Sequence, residues 1–325
     1  MLIQKIKNNE AGILLYGLTP PKENLTGEET AAIAAKQIAR LEGQNIDGIV
    51  LYDLQDESSR TNEERPFEFI KTTPPETYYE TYLKKHFKAV IYKAVGKYDE
   101  PEFCEFLRHQ QEDFICVFVG ASSKSQEVKL RLDEAYALKA KFAPNITLGG
   151  ICIPERHASK LDEHLKVAHK SEKGCEFFIT QAVYNLENAK KFIDDYAKLE
   201  GKKCPIIFTF TPCGSAKTLL FMKWLGINIP PNFEERLNAS ENILQTSLNL
   251  CLEIFNFLYK YGLAKGISVG ANVESVSNRK VEIEASITLL KQIQEIIAKT
   301  NTAYHWIGAG VYDKSSKSKP LNLEA

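Results

Sequence analysis

The sequence has almost no net charge. Its 41 Lys and Arg stand against 42 Asp and Glu, a balance of -1 over 325 residues. Without a basic excess there is no electrostatic footprint for nucleic acid or for an anionic membrane surface. Glycine and proline are also sparse, at 18 and 13 residues, which excludes a collagenous or low-complexity chain. Long apolar runs are missing: nothing approaches the roughly 18 consecutive apolar residues of a membrane span. Residues 1–10 hold no apolar segment of signal-peptide length. The expectation is a cytoplasmic protein with neither nucleic acid nor membrane as a partner. The seven cysteines form no C-x-x-C pair. Their odd number and wide spacing argue against a zinc ribbon and against a secreted disulfide framework. His164 and His169 do not have the H-E-x-x-H spacing, so no metal is expected.

What is present is a 44% hydrophobic chain in which short apolar runs alternate with amphipathic segments. The runs at 13–19, 48–54, 89–95, 114–121, 146–153, 177–184, 205–211 and 267–272 read as strands. Most are followed by a stretch with apolar residues at helical spacing. Thr26 with Glu29 three residues on forms a capping-box pattern at the first of these. Pro74-Pro75 opens another. Residues 228–238, containing Pro230-Pro231, form an insertion before the long helix that precedes strand eight. Strand–helix alternation repeated eight times predicts a single (β/α)8 barrel over 1–300, with a tail at 301–325 whose last part is loose. A doubly wound sheet is the rival, but no G-x-G-x-x-G follows the first strand.

In such barrels the chemistry sits at the C-terminal strand ends. Lys93 lies inside an apolar strand, where an ammonium must either reach an anion or snorkel to the surface. Asp53, Asp56 and Glu57, with Arg60 beyond, supply carboxylates suited to acid–base work or to local ion pairing. Glu155 and His157 follow strand five and could grip a polar ligand. Gln181 ends an apolar strand, so its amide needs a partner, either backbone or a heterocyclic ligand. Backbone donors in the turn 120–123 could face an anion.

Taken together, these strand ends resemble the methylenetetrahydrofolate reductase family over roughly residues 10–295. The matching residues are Thr19-Pro20-Pro21, Gly120, Pro154-Glu155 with His157, Phe178-Ile179-Thr180-Gln181 with Tyr184, and the segment Gly-Ile-Asn-Ile-Pro-Pro at 226–231. The resemblance implies a barrel that binds FAD and reduces 5,10-methylenetetrahydrofolate to 5-methyltetrahydrofolate with NADH or NADPH. It places the flavin along strands two to five. Gly120 and Ala121 would lie by the isoalloxazine, and His157 and Lys170 nearer the ribityl and phosphate groups. Lys93 and Glu155 join this cofactor set, while Gln181 and Tyr184 would meet the folate. Two acids of the family pattern are replaced. Gly17-Leu18-Thr19 stands where a carboxylate precedes Pro-Pro, and Val119-Gly120-Ala121 stands where the family has Arg-Gly-Asp. Asp56 and Glu57 are the expected catalytic replacements, with Asp53 beside them. The alternatives are a flavin-free folate-binding or methyl-transfer barrel, or a non-catalytic partner subunit. A homo-oligomer is compatible with each.

Overall fold

The computed structural model describes residues 2–56, 63–110, 114–121 and 127–308, with side chains up to residue 302. Eight parallel strands close in sequence order into one barrel. They are β1 (Leu14–Leu18), β2 (Gly48–Leu51), β3 (Ala89–Ala94), β4 (Ile115–Val119), β5 (Thr147–Cys152), β6 (Cys175–Ala182), β7 (Ile206–Phe210) and β8 (Val269–Val273). Closure is direct: Leu14, Leu15 and Tyr16 of β1 pair with Ala271, Asn272 and Val273 of β8. The expected (β/α)8 barrel is thus the observed fold.

The helices are α1 (Leu2–Lys7), α2 (Gly27–Leu41), α3 (Pro75–Tyr78), α4 (Glu100–Arg108), α5 (Leu132–Phe142), α6 (Pro154–Lys160), α7 (Glu163–Glu172), α8 (Leu186–Lys198), α9 (Ala216–Trp224), α10 (Pro231–Asn238), α11 (Ile243–Ala264) and α12 (Lys280–Gly308). The capping box at α2 is present: Thr26 accepts from the Glu29 amide, and the Glu29 carboxylate accepts from the Thr26 amide. α10 occupies most of the 228–238 insertion. Three features depart from the sequence reading. The N-terminal residues form α1. The helix expected at 160–170 is α7, and a separate short helix, α6, precedes it and ends at Leu161, which adopts a left-handed conformation. α12 continues past residue 301, where the tail was expected to begin.

Two apolar layers follow from strand alternation, because successive side chains point to opposite faces. The lumen is filled by Leu15, Val50, Val90, Tyr92, Val117, Phe177, Ile179 and Ile207. Leu2 and Ile6 of α1 join this cluster, so α1 plugs the N-terminal end. Burying each such side chain contributes about 1.5–3 kcal/mol. Gly149 makes room for the Phe177 ring, since a Cβ there would lie 2.5 Å from Phe177 Cζ. A second, larger cluster lies between the strands and the helices, with Phe118, Phe178, Phe208, Phe210 and Phe255 among its members.

Candidate functional site at the C-terminal mouth

The inner face of the strands turns polar at its C-terminal end. Val50 faces the lumen, so Tyr52 two residues on faces it too, stacking edge-on against Tyr92 at 4.9 Å. Asn272 lies on the same face of β8 and is wholly buried. Its Nδ2 donates to Tyr52 Oη at 2.8 Å and to Thr209 Oγ1 at 3.2 Å, while its Oδ1 is buried with no partner. Glu274, two residues further along the chain, shares that face and lies beside Tyr52. Burial pushes its carboxyl up to about 6, against the opposing pull of Tyr52. Desolvation first, then the Glu274 and Tyr92 charges, lift the Tyr52 phenol well above its ordinary range, so it stays a donor. Gln181 follows Phe177 and Ile179 on the inner parity of β6, and its Nε2 donates to the Leu225 carbonyl at 2.7 Å, tying β6 to the end of α9.

The outer face carries many of the side chains that look reactive in the sequence. Lys93, 2% exposed, follows Tyr92 and points out of the barrel. Its Nζ meets Glu76 of α3 at 2.5 Å and lies over the rings of Tyr98 and Phe106, at 3.8 and 4.3 Å. Asp53 is likewise outward. It accepts from the Ala94 amide at 2.8 Å and from Tyr98 Oη at 3.2 Å, and it pairs with Lys97. Tyr184 is fully buried in the outer layer, donating to the Thr211 carbonyl at 2.7 Å. His157 is fully buried among α6, α7 and α8. Its Nε2 meets Asp195 at 2.9 Å, and its ring packs edge-on against His164 and Phe192. Lys198, then His157, hold the Asp195 carboxyl well below the usual carboxylate range. The ammonium, imidazole and phenol are therefore each engaged by partners within the protein.

The β4–β5 side differs again. Gly120 accepts from Gln55 Nε2 at 3.4 Å, and Ala121 is exposed. Lys170 of α7 donates to the Ile151 carbonyl at 2.5 Å. It also borders a groove of about 450 Å³ between α5 and α7, lined by Leu132, Tyr136, Leu165, Lys166 and His169. Glu155, in the first turn of α6, has both carboxylate oxygens buried without a partner. Burial, with Glu163 adding repulsion, pushes it up to about 8. Of the two expected replacement acids, Asp56 lies exposed just after β2, and Glu57 falls outside the described residues. Ser122 and Ser123 of the expected anion-binding turn are likewise outside them. Among the described residues no group of three or more His, Cys, Asp or Glu could hold a metal, and no helix is long and apolar enough to cross a membrane. All seven cysteines are buried and free.

Glu274, Asn272 and Tyr52 were present among the strand ends but not singled out by the sequence. Their signal is parity: positions 272 and 274 share a face, and Gly17, the next inward position of β1 beyond the Tyr16–Val273 pair, adjoins Glu274.

Comparison with known proteins agrees with this architecture. The family model for methylenetetrahydrofolate reductase matches residues 120–269. A solved protein from Clostridium thermocellum, described as binding two copies of 5-methyl-5,6,7,8-tetrahydrofolic acid, is 49% identical. The match covers 91% of this chain and 100% of that one, with a TM-score of 0.80. The carboxyl transferase domain of Rhizobium etli pyruvate carboxylase is 10% identical over 92% of this chain and 48% of that one, with a TM-score of 0.47. No curated protein matches. The extent and identity of the Clostridium thermocellum match, together with the family model and the closed barrel, show that this chain belongs to the methylenetetrahydrofolate reductase family.

Proposed function

We propose that the protein binds a reduced folate at the C-terminal mouth of the barrel and serves one-carbon chemistry there. The observation that carries this reading is the polar set of Tyr52, Asn272 and Glu274, which ends an otherwise apolar lumen. A pterin is flat and aromatic, with a donor-rich edge. The Tyr52–Tyr92 pair offers ring contact, the carboxylate an acceptor for that edge, and Asn272 a buried, unpartnered acceptor. The 49% identical relative, described as a methyltetrahydrofolate binder, supports the same ligand class.

Reduction of 5,10-methylenetetrahydrofolate with NADH or NADPH through FAD is a second reading. One observation favours it: the groove beside Lys170 is of a size that small-molecule sites commonly have. Three of the groups that the resemblance assigns to the flavin have partners within the protein. Lys93 is held by Glu76, His157 by Asp195, and Lys170 by the Ile151 carbonyl. No hydride step is therefore derived. Titration with 5-methyltetrahydrofolate tests the first reading, and saturable, stoichiometric binding is expected. Flavin absorbance in the purified protein, together with folate-dependent oxidation of NADH or NADPH, would establish the second. A protein that neither binds the folate nor is stabilised by it against heat would overturn the first.

A further inference from the structure

We propose that Glu274 is the acid of the pteridine site, taken over by β8 from the neighbouring strand β1. The inference rests on the folate-binding reading above. Position 17 is where the family pattern, as the resemblance places it, leads to a carboxylate, and here it is glycine. The structure shows what fills the space. A Cβ at Gly17 would lie 2.6 Å from Tyr52 Oη and 3.0 Å from Glu274 Cβ. The first is shorter than a Cβ contact allows and the second is tight, so a side chain at 17 would push the Tyr52 hydroxyl from its place and crowd Glu274. Glycine on β1 thus leaves room for the Tyr52 hydroxyl and for the side chain that β8 brings to the same corner, which in this chain is an acid.

The rest of the setting holds the carboxylate in place for a ligand. The Glu274 amide donates to the Phe210 carbonyl at 3.0 Å, which continues the β7–β8 ladder beyond the strand and fixes the backbone. Tyr52, itself anchored by Asn272, lies beside the Glu274 side chain at the corner that Gly17 leaves open. Among the described residues, the titratable groups that interact with Glu274 are Tyr52, Tyr92 and Tyr16, phenols that burial keeps neutral, with Arg40 acting on Tyr16 from outside the barrel wall. The carboxylate is therefore the charged group of this set, and a pterin bound there would give it the ring N–H and the exocyclic amino group as donors. Hydrogen bonds to a charged partner are the stronger kind, so losing this one costs affinity.

The test is a calorimetric titration of 5-methyltetrahydrofolate into the full-length protein and its Glu274→Gln and Gly17→Ala variants, with p-aminobenzoylglutamate as a pteridine-free control ligand. Glu274→Gln is expected to weaken binding of the whole folate roughly tenfold to hundredfold and to leave any binding of the control unchanged. Gly17→Ala displaces Tyr52 and Glu274 and is expected to weaken the folate in the same way, while leaving the carboxylate itself in the chain. Thermal melts report whether each variant is folded. If Glu274→Gln melts as a folded protein and binds the folate like wild type, the proposal is overturned and the folate reading stands. If Glu274→Gln does not fold, full affinity in Gly17→Ala overturns the proposal. If wild type itself does not bind, the folate reading fails.

Discussion

The inner and outer faces of the same strands carry polar side chains of opposite use. On the outer face Lys93, Asp53 and Tyr184 each meet protein partners. On the inner face Asn272 keeps a buried oxygen unpaired and Glu274 is held at a raised pKa. A satisfied buried polar group joins layers together, whereas an unsatisfied one at a cavity mouth is free to recognise something. Reactive residue type alone does not separate the two. Lys93 and Glu274 both look like chemistry, and only the second is aimed where a ligand could arrive.

The comparison can be sharpened by substitution, and the largest expected effect concerns neither face. Glu155 has no partner, and its carboxyl sits at about 8 in the fold against an ordinary 4.5. The folded protein holds this proton more tightly than the unfolded chain, so stability falls as pH rises from 4.5 through 8. The loss is up to about 5 kcal/mol. Glu155→Gln is expected to remove that slope, which denaturant midpoints at several pH values would show. On the outer face, Lys93→Met strands Glu76 beside the sheet and is expected to cost about 3 kcal/mol, with folate affinity unchanged. Asp53→Asn weakens its bonds to the Ala94 amide, Lys97 and Tyr98 and should cost about 2 kcal/mol, again without touching the ligand. On the inner face the stability effect is of the same small size but of opposite consequence. Glu274 rises from 4.5 to about 6, so stability is lost as pH climbs through that interval, by about 2 kcal/mol. Glu274→Gln should therefore melt no lower than wild type at pH 7 while binding folate less well, the reverse of Lys93→Met.

The barrel was legible because eight apolar runs each carry the punctuation of a strand, and because Thr26 and Glu29 mark a helix start by local chemistry. Helix α1 was not, since six residues with only Leu2 and Ile6 buried give no period to read. Its apolar side is explained by the open end of a barrel that exists only after closure. The site was half legible. The strand ends were identified, but in and out were not assigned along them. Lys93 looks unpaired in sequence because Glu76, 17 positions earlier, comes beside it only once α3 packs on β3. His157 looks like a ligand-gripping residue because Asp195 is 38 positions away. Glu274 escaped because the expected replacement was sought on strand two, whereas the strand that adjoins position 17 from the other side is β8, last in the sequence and joined to β1 by closure.

The most direct test is the dissociation constant of 5-methyltetrahydrofolate for Glu274→Gln and Lys93→Met, determined side by side with their melting temperatures. The expected result is a dissociation constant raised at least about tenfold in Glu274→Gln and unchanged in Lys93→Met, with the loss of melting temperature confined to Lys93→Met. Unchanged affinity in Glu274→Gln with lost affinity in a folded Lys93→Met would contradict the assignment of binding to the inner face.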